Sequence, residues 1–167
     1  MSEVLPFDFT VDKATNTIHV KRAFAAELEL VWDAFTKPEI LDQWGAPEPW
    51  TCQTHSMDFT VGGRRLYSMF NPDGQEHWSV QDYTEITPMT KLKYLSGFSD
   101  KDGNTTPEFY GTINSLEFSE SDGITTVVIT LKYTSLSVLE MMVERGFKEG
   151  FTMTLNTLQG LLAKLSE

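Results

Sequence analysis

The segment from Ser137 to Glu167 constrains this chain most, because it reads as one long amphipathic helix. Val143, Phe147, Phe151, Leu155, Leu158, Leu162 and Leu165 recur at spacings of 4, 4, 4, 3, 4 and 3. At about 100° per residue they occupy roughly a third of the helix circumference. Burying such a stripe is worth on the order of 10–20 kcal/mol gross, most of it offset by the entropy of ordering the chain. Ser137 with Glu140 forms an S-x-x-E capping-box pattern at the start. Gly146 and Gly150 lie one turn apart beside the stripe and predict close backbone approach to a neighbour, since glycine is otherwise costly inside a helix. Glu144 projects into the apolar arc. A carboxylate there needs water or a cation, which predicts an opening near the first turns of the helix.

The residues before this helix read as strands and turns. Thr17 to Phe24 is a first strand, and Phe7 to Val11 in the arm of residues 1–14 is strand-like. Glu27 to Phe35 and Pro38 to Trp44 are short helices, with Thr36 and Glu39 as a second capping-box pattern. Gly45 to Pro49 holds two prolines and is a loop. From Thr51 the period becomes two. Strands are predicted over Thr51 to Phe59, Leu66 to Phe70, Glu76 to Ile86, Lys91 to Phe98, Phe109 to Phe118 and Ile124 to Tyr133. Asn71-Pro72-Asp73-Gly74 and Ser121-Asp122-Gly123 are the strongest hairpin signals. The order is strand, two short helices, six strands, long helix. That is an α+β fold, a curved antiparallel sheet of six to seven strands wrapped around the last helix, in one domain spanning 1–167. Such a helix either packs flat on the sheet or leaves a cavity beneath it.

Composition excludes several functions. A net charge of −11 opposes binding to nucleic acid or to anionic lipid surfaces. No apolar run reaches the length of a membrane span. The first residues carry no secretory signal pattern. One cysteine, Cys52, rules out an intrachain disulfide and a cysteine metal cage. A cytoplasmic protein without cofactor is the expectation.

The order of short motifs resembles the START-like helix-grip superfamily, which includes lipid-transfer domains, the birch pollen allergen group and polyketide cyclases. Within it the chain is similar to the branch of homologues of the activator of the heat-shock chaperone ATPase (its C-terminal domain). The resemblance is carried by Arg22-Ala23-Phe24, Val31-Trp32-Asp33-Ala34-Phe35-Thr36, Pro38-Glu39, Trp44 and Pro49. Gly62-Gly63-Arg64, Pro72-Asp73-Gly74, the segment from Tyr83 to Leu92 and Gly150-Phe151 continue it. Trp44-Gly45-Ala46-Pro47 departs from the paired tryptophans usual in the branch, and Phe151 replaces the usual tryptophan. The resemblance implies a sheet gripping the final helix around an apolar cavity, in a branch of diverse functions.

Catalytic chemistry has little support in the residues. His19, His55 and His77 sit in no nucleophile motif. Period two places His19 and His77 on wet faces and Trp78 inward, unless a bulge reverses the strand. A metal site from His55, Asp58 and His77 lacks dense ligand spacing. Gly62-Gly63-Arg64 reads as a tight turn. The candidate cavity lining is Trp50, Met69, Trp78, Tyr94, Phe98, Phe109 and Tyr133 from strands and loops, with Glu144, Phe147 and Phe151 from the helix. Binding of a small apolar or amphipathic molecule is the leading expectation. The alternatives are a partner-binding module like the chaperone activator, and a cyclase or hydrolase acting on an apolar substrate through Glu144, Tyr94 or His77. An edge strand could also pair two copies of the chain.

Overall fold

The structure, a computed structural model, describes residues 5–166. The strands are β1 (Phe7–Asp12), β2 (Thr17–Phe24), β3 (Thr51–Met57), β4 (Arg64–Phe70), β5 (Glu76–Thr87), β6 (Lys91–Ser99), β7 (Thr105–Ser121) and β8 (Ile124–Lys132). The helices are α1 (Leu28–Thr36), α2 (Pro38–Trp44), α3 (Leu136–Glu144) and α4 (Phe147–Leu165). All eight strands form one antiparallel sheet in the order β1-β2-β8-β7-β6-β5-β4-β3. The α+β reading holds. The strand number rises from six or seven to eight, because residues 7–12 of the arm pair with β2 from Phe7–Arg22 to Asp12–Thr17. The short helices therefore follow the second strand. Met1 to Val4 of the expected arm, and Glu167 at the end of the expected helix, lie outside the described residues.

The final helix is two helices. Gly146 adopts φ 87°, ψ 28°, a left-handed conformation that ends α3 and starts α4 on a new axis. The seven-residue stripe is thereby cut. Leu155, Leu158 and Leu162 in α4 are wholly buried, whereas Val143 and Leu165 at the ends of the stripe are exposed, and Leu139 becomes the buried anchor of α3. Gly146 thus serves the break. Gly150 packs beside Pro47, but a Cβ there would stand 3.6 Å from Pro47 Cγ, an ordinary contact, so the expected close approach does not require glycine at this position.

The cap of α3 is Ser135, whose hydroxyl accepts from the Val138 amide at 3.2 Å, and not Ser137. The helix begins one residue after Ser135, so Ser135 is the extended residue that can reach back. Glu140 instead faces Lys13 across 4.0 Å. Thr36 does not cap α2. Its Oγ1 donates to the Trp32 carbonyl inside α1, and Lys37 occupies the N-cap position.

The dense core lies under one half of the sheet. On its helix-facing side Ile18, Val20 and Phe24 of β2, Val127, Ile129 and Leu131 of β8, and Leu116 and Phe118 of β7 are all buried. They meet Leu155, Leu158 and Leu162 together with α1 and α2. Trp32 and Phe35 both contact Phe118 edge-on, and Phe35 meets Trp44 at 4.9 Å between centroids. Trp44 Nε1 donates to the Ala34 carbonyl, which satisfies the one polar atom of that ring.

Candidate functional site

The other half of the sheet is covered differently. Register fixes which side chains share the helix-facing side of β3 to β7. Tyr67 is opposite Thr54 and Ser79, Arg65 is opposite Gln81, and Gln81 is opposite Ser96. Tyr94 is opposite Tyr83 and Asn114. Tyr67, Met69, Ser79, Gln81, Tyr94, Ser96 and Thr112 are all only half-buried. Tyr94 sits on β6, three strands in from the β3 edge, on the side the helices cover. Side chains at that depth retain surface only where the covering layer stands off from the sheet. On the same face Arg65, Tyr83 and Leu92 are buried, so the cover is tight over β2 and β8 and thinner only around Tyr67, Ser79, Gln81, Tyr94 and Ser96.

Two β-bulges decide who faces this region. In β5 the register shifts between Tyr83 and Glu85, so one residue, Thr84, is extra. The shift inverts the strand before it. His77, Ser79 and Gln81 turn toward the helices, and Trp78 turns to the outer face. This corrects the expectation for both residues. Trp78 stacks on His55 at 4.2 Å and donates to Glu76, and His55 Nε2 lies 2.9 Å from Ser68 Oγ. His55 and His77 thus lie on opposite faces, which separates the ligands of the conceived metal site. A second bulge at Gly111, φ 107°, keeps Phe109 on the helix-facing side, where its ring meets Phe98 at 6.2 Å.

The remaining expected residues fall into separate groups. Trp50, Met69, Phe98 and Phe109 gather at one end of β3 to β7, with Trp50 stacked on His77 at 5.2 Å. Tyr94 lies deeper along the same face, and Tyr133 follows β8 and is buried. Phe147 and Phe151 stack on one another at 5.2 Å, and Phe147 meets Phe9 of β1 at 6.2 Å, which ties the pair to the β1 side. Glu144 ends α3 and is exposed, so its carboxylate reaches solvent and not an apolar arc.

Sequence reasoning passed over the polar part of this face. Arg65 is 3% exposed. Its Nε donates to Thr54 Oγ1 at 3.0 Å, its Nη2 lies 3.5 Å from Cys52 Sγ and 3.5 Å from Asp42 Oδ1, and its guanidinium stacks 4.0 Å from the Tyr67 centroid. Asp42 of α2 also accepts from the Thr54 amide at 3.0 Å and from its hydroxyl at 2.6 Å. Burial holds the Tyr67, Tyr83 and Tyr94 phenols well above their usual range, with the nearby Arg65 charge opposing. Burial also raises the Cys52 thiol. Asn114, itself buried, donates through Nδ2 to Ser96 Oγ at 2.8 Å. The signal for this set was present: counting back in twos from Met69 gives Tyr67 and Arg65 on the same face.

On the outer face Arg64 holds Asp82 through Nε and Nη2 at 2.6 and 2.9 Å and takes the Gly103 carbonyl at 2.7 Å. Tyr110 donates to the same carboxylate, and burial and Asp82 push its hydroxyl up to about 12. This group fastens the 100–104 loop to the sheet. Two depressions lie on the surface beside α4. One of about 560 Å³ is lined by Glu48, Glu149, Thr152, Met153, Asn156 and Thr157, and one of about 300 Å³ lies under the loop through Pro49 and Trp50. Among the described residues no three His, Cys, Asp or Glu converge as a metal site, and no helix is long and apolar enough to cross a membrane.

Residues 25–163 match the family described as Activator of Hsp90 ATPase homolog 1-like protein. The chain belongs to that family. Solved structures share its fold over nearly their whole length. Protein Ms6760 from Mycobacterium smegmatis is 27% identical with a TM-score of 0.85, over 94% of this chain and 97% of that one. A Staphylococcus epidermidis protein is 28% identical with a TM-score of 0.82, over 95% and 96%. An Arthrobacter aurescens protein, 24% identical with a TM-score of 0.87 over 94% and 91%, supports the fold alone. Among curated proteins none matches the chain. The START-like helix-grip resemblance in the sequence is thus the right one.

Proposed function

We propose that this chain is one START-like domain that binds a small, apolar-bodied molecule between β4 to β6 and the C-terminal helices. The observation that carries the reading is Tyr94, central in the sheet and beneath the helices, yet only half-buried. Trp50, Met69, Phe98 and Phe109 at the end of the same face would form its apolar approach. Phe147, Phe151, Tyr133 and Glu144 leave the candidate set or move to its margin, and Trp78 leaves it for the outer face.

A filling substitution tests this. Ser79 is half-buried on the face in question. If the space is real, Ser79→Leu costs little stability and abolishes binding of apolar probes followed by amide shifts in β4 to β6. In a region already packed dry, the added carbons would cost about 1–3 kcal/mol by strain. That loss, with no probe shifting those amides in the unsubstituted chain, would refute the proposal.

A further inference from the structure

The polar atoms on the helix-facing side of β4 to β6 specify what such an occupant carries. Arg65 has three nitrogens in its guanidinium group. Nε and Nη2 face Thr54, Cys52 and Asp42, and the structure gives Nη1 no protein acceptor. The Tyr94 hydroxyl likewise has no protein partner, although its backbone carbonyl accepts from Asn114 at 3.4 Å. Among the described residues no buried side-chain nitrogen or oxygen lacks a hydrogen-bond partner. Arg65 Nη1 and Tyr94 Oη therefore both keep accessible surface.

Both atoms offer hydrogens. A guanidinium N–H only donates, and a phenol kept protonated by burial donates. The occupant should supply an acceptor, because a buried donor without one is costly. Charge decides which acceptor. Asp42 already balances Arg65, and a net charge of −11 opposes entry of an anion. A carboxylate would leave the site with an uncompensated negative charge, whereas a neutral oxygen would not.

We infer that the space beneath the C-terminal helices takes a neutral carbonyl compound with an apolar body, its oxygen turned to the donors Arg65 and Tyr94. The inference rests on the interior-binding reading above.

Three probes of nearly one shape test it: benzophenone, diphenylmethane and diphenylacetate, titrated into the full chain by amide NMR. Benzophenone is expected to bind about 10-fold more tightly than diphenylmethane, the worth of one buried hydrogen bond, with diphenylacetate weakest. In Tyr94→Phe, which removes an oxygen with no protein partner, that preference should shrink to within about 3-fold, with diphenylmethane unchanged. Arg65→Met should act the same way, and where its loss unfolds the chain Tyr94→Phe alone decides. Equal binding of benzophenone and diphenylmethane would overturn the acceptor inference and leave the interior site standing. Tightest binding by diphenylacetate would overturn the charge argument. If none of the three shifts the amides of β4 to β6, the interior site falls, and the inference with it.

Discussion

Replacing Gly146 by alanine asks whether α3 and α4 are two helices. Gly146 sits at φ 87°, and a Cβ built there would find its nearest atom, Glu149 Oε2, at 3.7 Å. No clash arises, so the cost is backbone strain of about 1–2 kcal/mol for an L residue in the left-handed region. The chain could escape by running straight through as one helix, where alanine is about 1 kcal/mol better than glycine. That escape would swing Leu139, wholly buried, out of the core, at roughly 2 kcal/mol. Set against the alanine gain, that loss leaves the escape at about 1 kcal/mol net, comparable with the strain, so by either route G146A should lower Tm by about 2–6 °C in a chain of this size. Asparagine, which tolerates the conformation, should cost less. Gly160 is the internal control. It lies exposed inside α4 with no atom within 4 Å of its Cβ position. G160A should gain about 0.5–1 kcal/mol and raise Tm by roughly 2–3 °C. One chemical change should thus have opposite signs at two glycines of the same segment. A calorimetric scan in which G146A also raises Tm would show an unbroken helix and refute the reasoning.

Asp42→Asn should cost about 2–4 kcal/mol in urea unfolding, since Arg65 would stay buried with its counter-charge gone; an unchanged midpoint would mean that Thr54 alone holds the cluster. Asp82 is depressed below the ordinary carboxylate pKa, chiefly by its hydrogen bonds from Arg64. A lowered folded pKa contributes stability above the unfolded value near 4 that drains as pH falls through the folded one, so D82N should flatten the stability loss below pH ~4. The Cys52 thiol, buried and raised in pKa, should react slowly with a disulfide reagent at about pH 8 and quickly in denaturant. Fast native reaction would show that β3 opens at the sheet edge.

Much of the fold is legible in the residues because most of it obeys simple periods. The strand from Ile124 carries Val127, Ile129 and Leu131 on one face, and all three are buried. Pro38 opens α2, and Asn71 to Gly74 makes its turn, with Gly74 at φ 85°. What failed were steps of one residue. Thr84 adds one residue to β5 and so reverses His77 and Trp78 together. A bulge of this kind leaves no mark in composition, because threonine suits a regular strand equally well. Gly146 was visible but ambiguous, since a glycine beside a helical stripe permits either close approach or a left-handed break. Gly146 took the second course, and Gly150, four residues on, has room for a Cβ beside Pro47. Arg65 was passed over because a charge in a strand is ordinarily read as solvated, and here α2 supplies its partner.

The polarity of the more thinly covered part follows from the same geometry. Where the helices sit close, on β2 and β8, most facing positions are branched or aromatic carbon, and the two polar ones are paired: Arg22 donates to Asn156 Oδ1 of α4 and Thr125 to the Ala26 carbonyl. Over β4 to β6 the facing positions include, beside the apolar Met69, Leu92 and Phe98, the polar Arg65, Tyr67, Ser79, Gln81, Tyr94 and Ser96. Such side chains are tolerated where they pair with one another or face an accessible space, and the structure contains both cases. Arg65 pairs with Thr54 and Asp42, and Asn114 with Ser96, which fixes those side chains in place. Tyr94 Oη is left over. On the proposed reading the sheet divides its two tasks by strand: β2 and β8 anchor α4, and β4 to β6 hold a hydrogen-donating wall that the anchoring half keeps at a distance from the helices. A substitution that drew α4 down onto β6 would gain apolar contact, yet would bury Tyr94 Oη and Arg65 Nη1 without acceptors. That penalty, about 1–3 kcal/mol for each atom, opposes collapse for as long as the wall stays polar.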